Sequence, residues 1–399
     1  MSDQSTFSAA ASAVGYIYQV RLALIQSLSR LRNGDAFSVS IETLDDVAFE
    51  TGGAFDLLQA KHHINAHANL TDASPDIWKT IRIWVDAYTN GTLDNDGSCF
   101  LITTSQAQSG SIAHYLQSGH DRDIAEAIKR MNSVAESSTS KTNKEAYKSY
   151  RALSAPQKES LLSCVFVMAR SSTILDVEED LKKELYHAVE IEFLEPFVKR
   201  LEGWWFRRTI LQLLDPQGKW ILSEELESEK TDLRNQFKRD SLPVDEDIMS
   251  ETVDASGYQD TTFVHQLGLT DVGAKRIYFA IRDFYRAFTQ RSRWISDSLV
   301  FVGELQRYED RLVEEWELIF AQMEDELGEG ATEEAKTAAA AKLYKWVESA
   351  PHPAIRERAI NPMIARGTYH ILSDNLRVGW HPNFVDRLKG LLGPVEARP

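Results

Sequence analysis

The stretch Ile41-Glu-Thr-Leu-Asp-Asp-Val-Ala-Phe-Glu-Thr-Gly-Gly-Ala-Phe-Asp-Leu-Leu-Gln-Ala-Lys61 decides how the first half of the chain folds. Two short apolar runs, Val47 to Phe49 and Phe55 to Ala60, flank Gly52-Gly53, so they read as two strands of a hairpin. Upstream, Phe37-Ser-Val-Ser-Ile41 alternates strictly and adds a third strand. Before it, Val14, Ile17, Leu24, Leu28 and Leu31 recur at helical spacings from about Ala10 to Arg32, and Asn33-Gly34 supplies the stop. Downstream, Pro75 to Tyr88 reads as a helix with Trp78, Ile81, Trp84 and Val85 inward. Phe100 to Thr104 and Cys164 to Ala169 read as buried strands. Strands interleaved with helices predict an α/β domain, a mixed sheet flanked by helices.

Beyond this the pattern turns helical. Ser133 to Lys148, rich in Ser, Thr, Lys and Glu, reads as loop or exposed helix. Ser223 to Asp254 is strongly acidic, contains Pro243, and predicts a helical connector. Ser296 to Glu329 is a second acidic block whose Leu299, Val302, Leu305, Leu312, Trp316, Ile319 and Phe320 form an apolar stripe suited to docking against a partner helix. The expected organisation is an α/β domain over residues 1–215, a connector over 216–290 and an α-rich docking domain over 291–399.

With 399 residues, 43% of them hydrophobic and 26% charged, the chain has ample core material and is too long for one core. It has no run of about 18 apolar residues and no secretory leader pattern at Met1, so a cytoplasmic protein without a membrane segment is expected. Cys99 and Cys164 each lie in an apolar run, where a buried reduced thiol is the default. A net charge of −16 argues against a surface that grips nucleic acid everywhere and confines any such contact to local basic patches. The candidates are Lys199, Arg207 and Arg208 around Trp204-Trp205, and Arg282 and Arg286 further on.

The chemistry concentrates around the opening stretch. In a strand Gln59 and Lys61 point the same way, and the hairpin brings Asp46 alongside them. Asp46, the Gln59 side-chain carbonyl and Glu42 offer the oxygen ligands that a hard divalent cation takes, and magnesium fits, with manganese as a substitute. Lys61 would orient or deprotonate an attacking water and offset charge developing on phosphorus, the pattern of metal-assisted phosphodiester hydrolysis. Two other Gln-x-Lys triplets, Gln217-Gly-Lys219 and Gln236-Phe-Lys238, lack the strand context.

Gly15-Tyr-Ile-Tyr-Gln19, Ile41-Glu-Thr-Leu-Asp-Asp46 and Leu58-Gln-Ala-Lys-His-His63 resemble the PD-(D/E)xK nucleases, restriction-endonuclease-like in fold. They look especially like the nuclease domain used as effector, acting on double-stranded DNA, in CBASS and Lamassu antiphage defence. A second resemblance lies in Arg293 to Val300, Tyr308 to Leu312, Ile355 to Arg358, Arg366-Gly-Thr-Tyr-His-Ile-Leu372 and Val378-Gly-Trp-His-Pro382. These look like the C-terminal domain of effectors from ABC three-component systems. The resemblances imply a magnesium-dependent endonuclease that works with an SMC-like ABC ATPase and a small third subunit, cleaves double-stranded DNA, and self-associates through its nuclease domains on activation. They assign catalysis to Asp46, Gln59, Lys61 and Glu42, metal ligation to Asp46, Gln59 and Glu42, and a positioning role to Gln19. Leu44 stands where the family has Pro, before Asp45, so the motif leaves two candidates for the principal ligand, Asp45 and Asp46, of which Asp46 is favoured. The rival function is a non-catalytic DNA-binding sensor or scaffold of the same kind of complex.

Weaker signals read structurally. His62, His63 and His67 have no further Cys or His at zinc-site spacing. Gly379-Trp-His-Pro382 reads as a core turn, and Arg366 with His370 as one helical turn of structural or partner contacts.

Overall fold

The computed structural model describes residues 9–62, 69–93, 96–215 and 217–391, which form two compact units, Met1–Arg234 and Asn235–Pro399. The first unit runs α1 (Ala9–Asn33), β1 (Ser38–Ile41), β2 (Val47–Thr51), β3 (Ala54–Lys61), β4 (Asn69–Leu70), α2 (Pro75–Thr89), β5 (Ser98–Thr103) and β6 (Gln106–Ala107). It continues with α3 (Ile112–Tyr115), α4 (Ile124–Ser137), α5 (Lys144–Ala152), α6 (Ala155–Ser163), β7 (Val165–Met168), α7 (Val177–Glu184), α8 (Leu194–Leu214) and β8 (Ile221–Leu222), and α9 (Ser223–Gln236) runs across the boundary.

Six strands form one mixed sheet in the order β7-β5-β3-β2-β1-β8. The β2–β3 hairpin closes on Gly52 and Gly53, whose φ values of 61° and 94° suit a two-residue turn that only glycines adopt freely. β3 pairs antiparallel with β2 and parallel with β5, so it is central and its Leu57, Leu58, Gln59 and Ala60 are all buried. One face of the sheet carries Ala48, Leu57, Cys99, Leu101, Val165 and Val167 against Trp78, Ile81 and Trp84 of α2 and the buried faces of α4 to α6. α1 and α8 cover the other face, packing on β1 and β3.

The polar stretch 133–148 departs from its loop-like composition. It supplies the end of α4 and the start of α5, whose buried Tyr147 packs edge-on to Trp78 with ring centroids 4.5 Å apart. The few large residues, at helical spacing, decide its fold, and the polar majority faces water.

The second unit is helical: α10 (Glu246–Ser250), α11 (Thr262–Gly268), α12 (Ala274–Ser296), α13 (Glu304–Leu327), α14 (Glu333–Ser349), α15 (Pro362–Asp374) and α16 (Phe384–Leu388). α12 and α15 pack backbone to backbone at Gly367, where an added Cβ would lie 2.1 Å from the Asp283 carbonyl oxygen. Arg366 Nε donates to Asp283 Oδ2 at 2.7 Å across the same contact.

The apolar stripe expected to meet a partner is instead largely core of its own unit. Leu299, Leu312 and Trp316 are buried, Tyr369 Oη donates to the Leu312 carbonyl at 3.0 Å, and Trp316 Nε1 donates to the Gly379 carbonyl at 2.8 Å. Val302 lies off the stripe, 99% exposed before α13 begins. Trp380 and His381 are fully buried, as a core turn requires, and burial holds His370 neutral with its pKa lowered to about 4. Among the described residues no helix is long and apolar enough to cross a membrane.

Candidate active site at the head of the β2–β3 hairpin

Residues 42–46 connect β1 to β2, and Glu42 takes a left-handed backbone, φ 54°, while its N–H donates to the Asp46 carbonyl at 3.1 Å. Left-handed geometry in a residue with a side chain stores strain and persists where surrounding bonds hold it. The holder is Gln212 of α8. Its Oε1 accepts the Ile41 N–H at 3.2 Å, and its Nε2 donates to Thr43 Oγ1 at 3.2 Å. Nothing in the sequence marks this glutamine, which sits among Ile210, Leu211, Leu213 and Leu214.

The adjacent aspartates diverge. Asp45 turns inward, 8% exposed, where Oδ1 accepts the Asp46 N–H at 2.9 Å and the Gln59 Nε2–H, and Oδ2 accepts Trp84 Nε1–H at 2.9 Å. Burial pushes its carboxyl up to about 6, against the hydrogen bonds from Gln59 and Trp84, with the charge of Asp46 adding to the rise. Asp46 turns toward β3. Its Oδ2 accepts the Ala60 N–H at 2.8 Å and lies 3.7 Å from Lys61 Nζ. Lys61 Nζ donates to Gln59 Oε1 at 2.8 Å, so Gln59 links Asp45 to Lys61.

Glu42 opens to solvent, yet the protein packed around it, and then the negative charge of Asp46, raise its carboxyl above the usual range, while a hydrogen bond from Gln19 and the charge of Lys61 oppose the rise. Gln19, on α1, is 9% exposed and, among the described residues, its Oε1 accepts no hydrogen bond. The structure thus brings together Glu42, Asp46, Gln59, Lys61 and Gln19.

Among the described residues no group of three or more His, Cys, Asp or Glu lies close enough to hold a metal. Two carboxylates, Glu42 and Asp46, with the Gln59 amide oxygen and main-chain carbonyls, nevertheless make an all-oxygen donor set, which suits magnesium rather than zinc. Burial contributes most to the raised Glu42 carboxyl, and a divalent cation would relieve the smaller part that comes from the charge of Asp46.

The remaining sequence candidates make other contacts. Lys199 and Arg208 lie on α8, paired with Glu195 at 2.7 Å and with Glu225 at 2.6 Å, and Arg207 projects from the same helix. Arg282 and Arg286 lie on α12 in the second unit, Arg282 bonded to Asp283 and stacked 4.9 Å from the centre of the Phe279 ring. His62 has a structural bond, its Nε2 accepting the Ile174 N–H at 3.2 Å. His63 and His67 fall outside the described residues.

None of the curated proteins matches the chain. Residues 263–388, from α11 through α16, match the family model for C-terminal domain 7 of the ABC-three component systems, which agrees with the resemblance carried by Arg366 to Leu372 and Val378 to Pro382. Over those residues, in the helical domain alone, the chain is similar to the C-terminal domains of ABC-three component systems.

Proposed function

We propose that the first unit is a magnesium-dependent endodeoxyribonuclease that hydrolyses phosphodiesters of double-stranded DNA as the effector of its defence complex. The observation carrying this reading is the convergence of Lys61 Nζ on Asp46 Oδ2 at 3.7 Å and Gln59 Oε1 at 2.8 Å, beside Glu42. Held by Asp46 and Glu42 with the Gln59 amide oxygen, magnesium would supply Lewis acidity at the phosphoryl oxygen. Lys61 orients the attacking water and stabilises the charge that grows on the phosphoryl oxygens. Gln59 fixes the ammonium group of Lys61, and the main-chain bond from Ala60 fixes the Asp46 carboxylate. Gln19 steadies Glu42.

In this reading the partners are an SMC-like ABC ATPase and a small third subunit, as in Lamassu, and release from them permits nuclease units to self-associate. The second reading is a non-catalytic DNA-binding sensor or scaffold. It draws on the way Asp45, Gln59 and Lys61 satisfy one another, as a purely structural polar cluster would. Purified protein with plasmid and magnesium, with and without chelator, separates the two. Magnesium-dependent nicking or linearisation that Lys61→Ala abolishes supports the nuclease, and DNA retention without cleavage supports the scaffold.

A further inference from the structure

Cys99 and Cys164 are far apart in sequence, but the parallel pairing of β5 with β7 makes them neighbours. The Cys99 N–H donates to the Cys164 carbonyl at 2.8 Å, the two side chains lie close enough to influence each other's ionisation, and Cys164 Sγ donates to the Leu161 carbonyl at 3.0 Å. Cys99 pairs with Val165 at the start of β7, and Cys164 immediately precedes it, so a main-chain bond joins the two residues directly, as strand spacing and the roughly 4.4–6.8 Å Cα span of a disulfide allow. The environments of the two thiols differ. Cys99 is fully buried, whereas Cys164 caps α6 and is part-exposed at a cleft of about 360 Å³ lined also by Ser98, Ser160 and Ser163. Beside Cys164 stands Arg122, whose guanidinium is fixed by the carbonyls of Leu116, Val165 and Ser163, each at 2.9 Å, and lies 4.1 Å from the centre of the Phe166 ring.

We infer that Cys164 is a peroxide-reactive thiol and Cys99 its resolving partner, so that hydrogen peroxide converts the pair into an intramolecular disulfide tying β7 to β5. Cys164 opens on the cleft, where peroxide can reach it, while Cys99 is sealed in the core and burial holds it as a thiol; interaction with Cys99, and the nearby Arg122 charge, favour the Cys164 thiolate against its own partial burial. Roles follow from that asymmetry. The Cys164 thiolate attacks one peroxide oxygen, the O–O bond breaks, and the departing hydroxide takes a proton to become water, leaving Cys164 as a sulfenic acid. Cys99 then attacks Cys164 Sγ. The S–O bond breaks, the Cys99 proton leaves with the hydroxyl as a second water, and the S–S bond forms. Two thiols are oxidised and one peroxide is reduced to two waters. The chemistry does not depend on the proposed cleavage activity.

The test uses the full, reduced chain exposed to hydrogen peroxide, then denatured and alkylated with iodoacetamide. Alkylatable thiols are expected to fall from two to none. A Cys99–Cys164 linked peptide pair should appear on non-reducing mapping, the chain should remain monomeric on a non-reducing gel, and dithiothreitol should restore both thiols. In Cys99→Ser, dimedone should capture a sulfenic acid at Cys164. In Cys164→Ser, Cys99 should stay alkylatable. Two free thiols in the treated wild type, a crosslink between chains, or oxidation of Cys99 in Cys164→Ser at the wild-type rate overturns the inference. The wild-type map decides the question even where a variant fails to fold.

Discussion

Trp84 Nε1 donates a 2.9 Å hydrogen bond to Oδ2 of Asp45, binding α2 to the β1–β2 connection and committing that carboxylate to the interior. Its neighbour Asp46 is left to face Lys61 at 3.7 Å. Two adjacent acids therefore have different work, and variants at each should fail in different ways.

Asp46→Ala should fold normally and lose magnesium-dependent cleavage, because the part-exposed side chain makes, among the described residues, one bond to the Ala60 N–H and an ion pair with Lys61, and belongs to no apolar core. Lys61→Ala should match it, with a loss of about 10²–10³ in rate, the usual cost of removing one electrostatic group aimed at developing charge. Plasmid cleavage beside circular dichroism checks both, and cleavage by either variant at the wild-type rate moves the chemistry elsewhere.

Asp45 should show itself in stability against pH. Its folded pKa, about 6, lies above the ordinary value of about 3.9, so between those values the folded state holds a proton that the unfolded chain has released. Its contribution is then greatest below about pH 4, falls as pH rises toward 6, and levels off above, by an amount on the order of 3 kcal/mol. Subtracting the urea-unfolding curve of Asp45→Asn from that of the wild type, pH by pH, isolates the slope. A flat difference between pH 4 and 6 would contradict the buried, raised carboxyl.

Gln212→Ala should release the connection that presents Glu42 and Asp46, since it removes the bonds to Ile41 N–H and Thr43 Oγ1. Leaving the buried Ile41 N–H unpaired costs about 1–3 kcal/mol. Cleavage should fall while Lys61 and Asp46 are intact, and Gln212→Glu, which keeps the acceptor, should recover more activity than Gln212→Ala.

Gly367→Ala should break the contact of α12 with α15, because the new Cβ would lie 2.1 Å from the Asp283 carbonyl oxygen and 2.4 Å from Ala287 Cβ. Neither is the movable end of a side chain, so the helices must separate, at about 1–3 kcal/mol or more. The transition of the second unit in a thermal unfolding scan should drop by several degrees, while the control Gly257→Ala, with open space around its Cβ, should not shift it.

Alternation in Phe37 to Ile41, the Gly52-Gly53 turn and the apolar strand ending in Gln59-Ala-Lys61 were enough to establish the hairpin and to place Asp46, Gln59 and Lys61 together, since strand period and turn chemistry are local properties. The helical periodicity of Pro75 to Tyr88 was equally local and gave α2 with its inward tryptophans. What the tertiary structure decided is which partner each group meets. Asp45 and Asp46 are chemically identical and adjacent, and only the approach of Trp84 from α2 sends one inward. Gln212 acquires its role solely because α8 crosses the end of β1, and Cys99 meets Cys164 solely because β5 and β7 pair. The stripe from Leu299 to Phe320 had the periodicity of a buried face, but periodicity says only that a face is covered. The covering residues, including Tyr369 and the turn at Gly379, come from elsewhere in the same unit, and which segment reaches a face depends on long-range packing that no local pattern encodes.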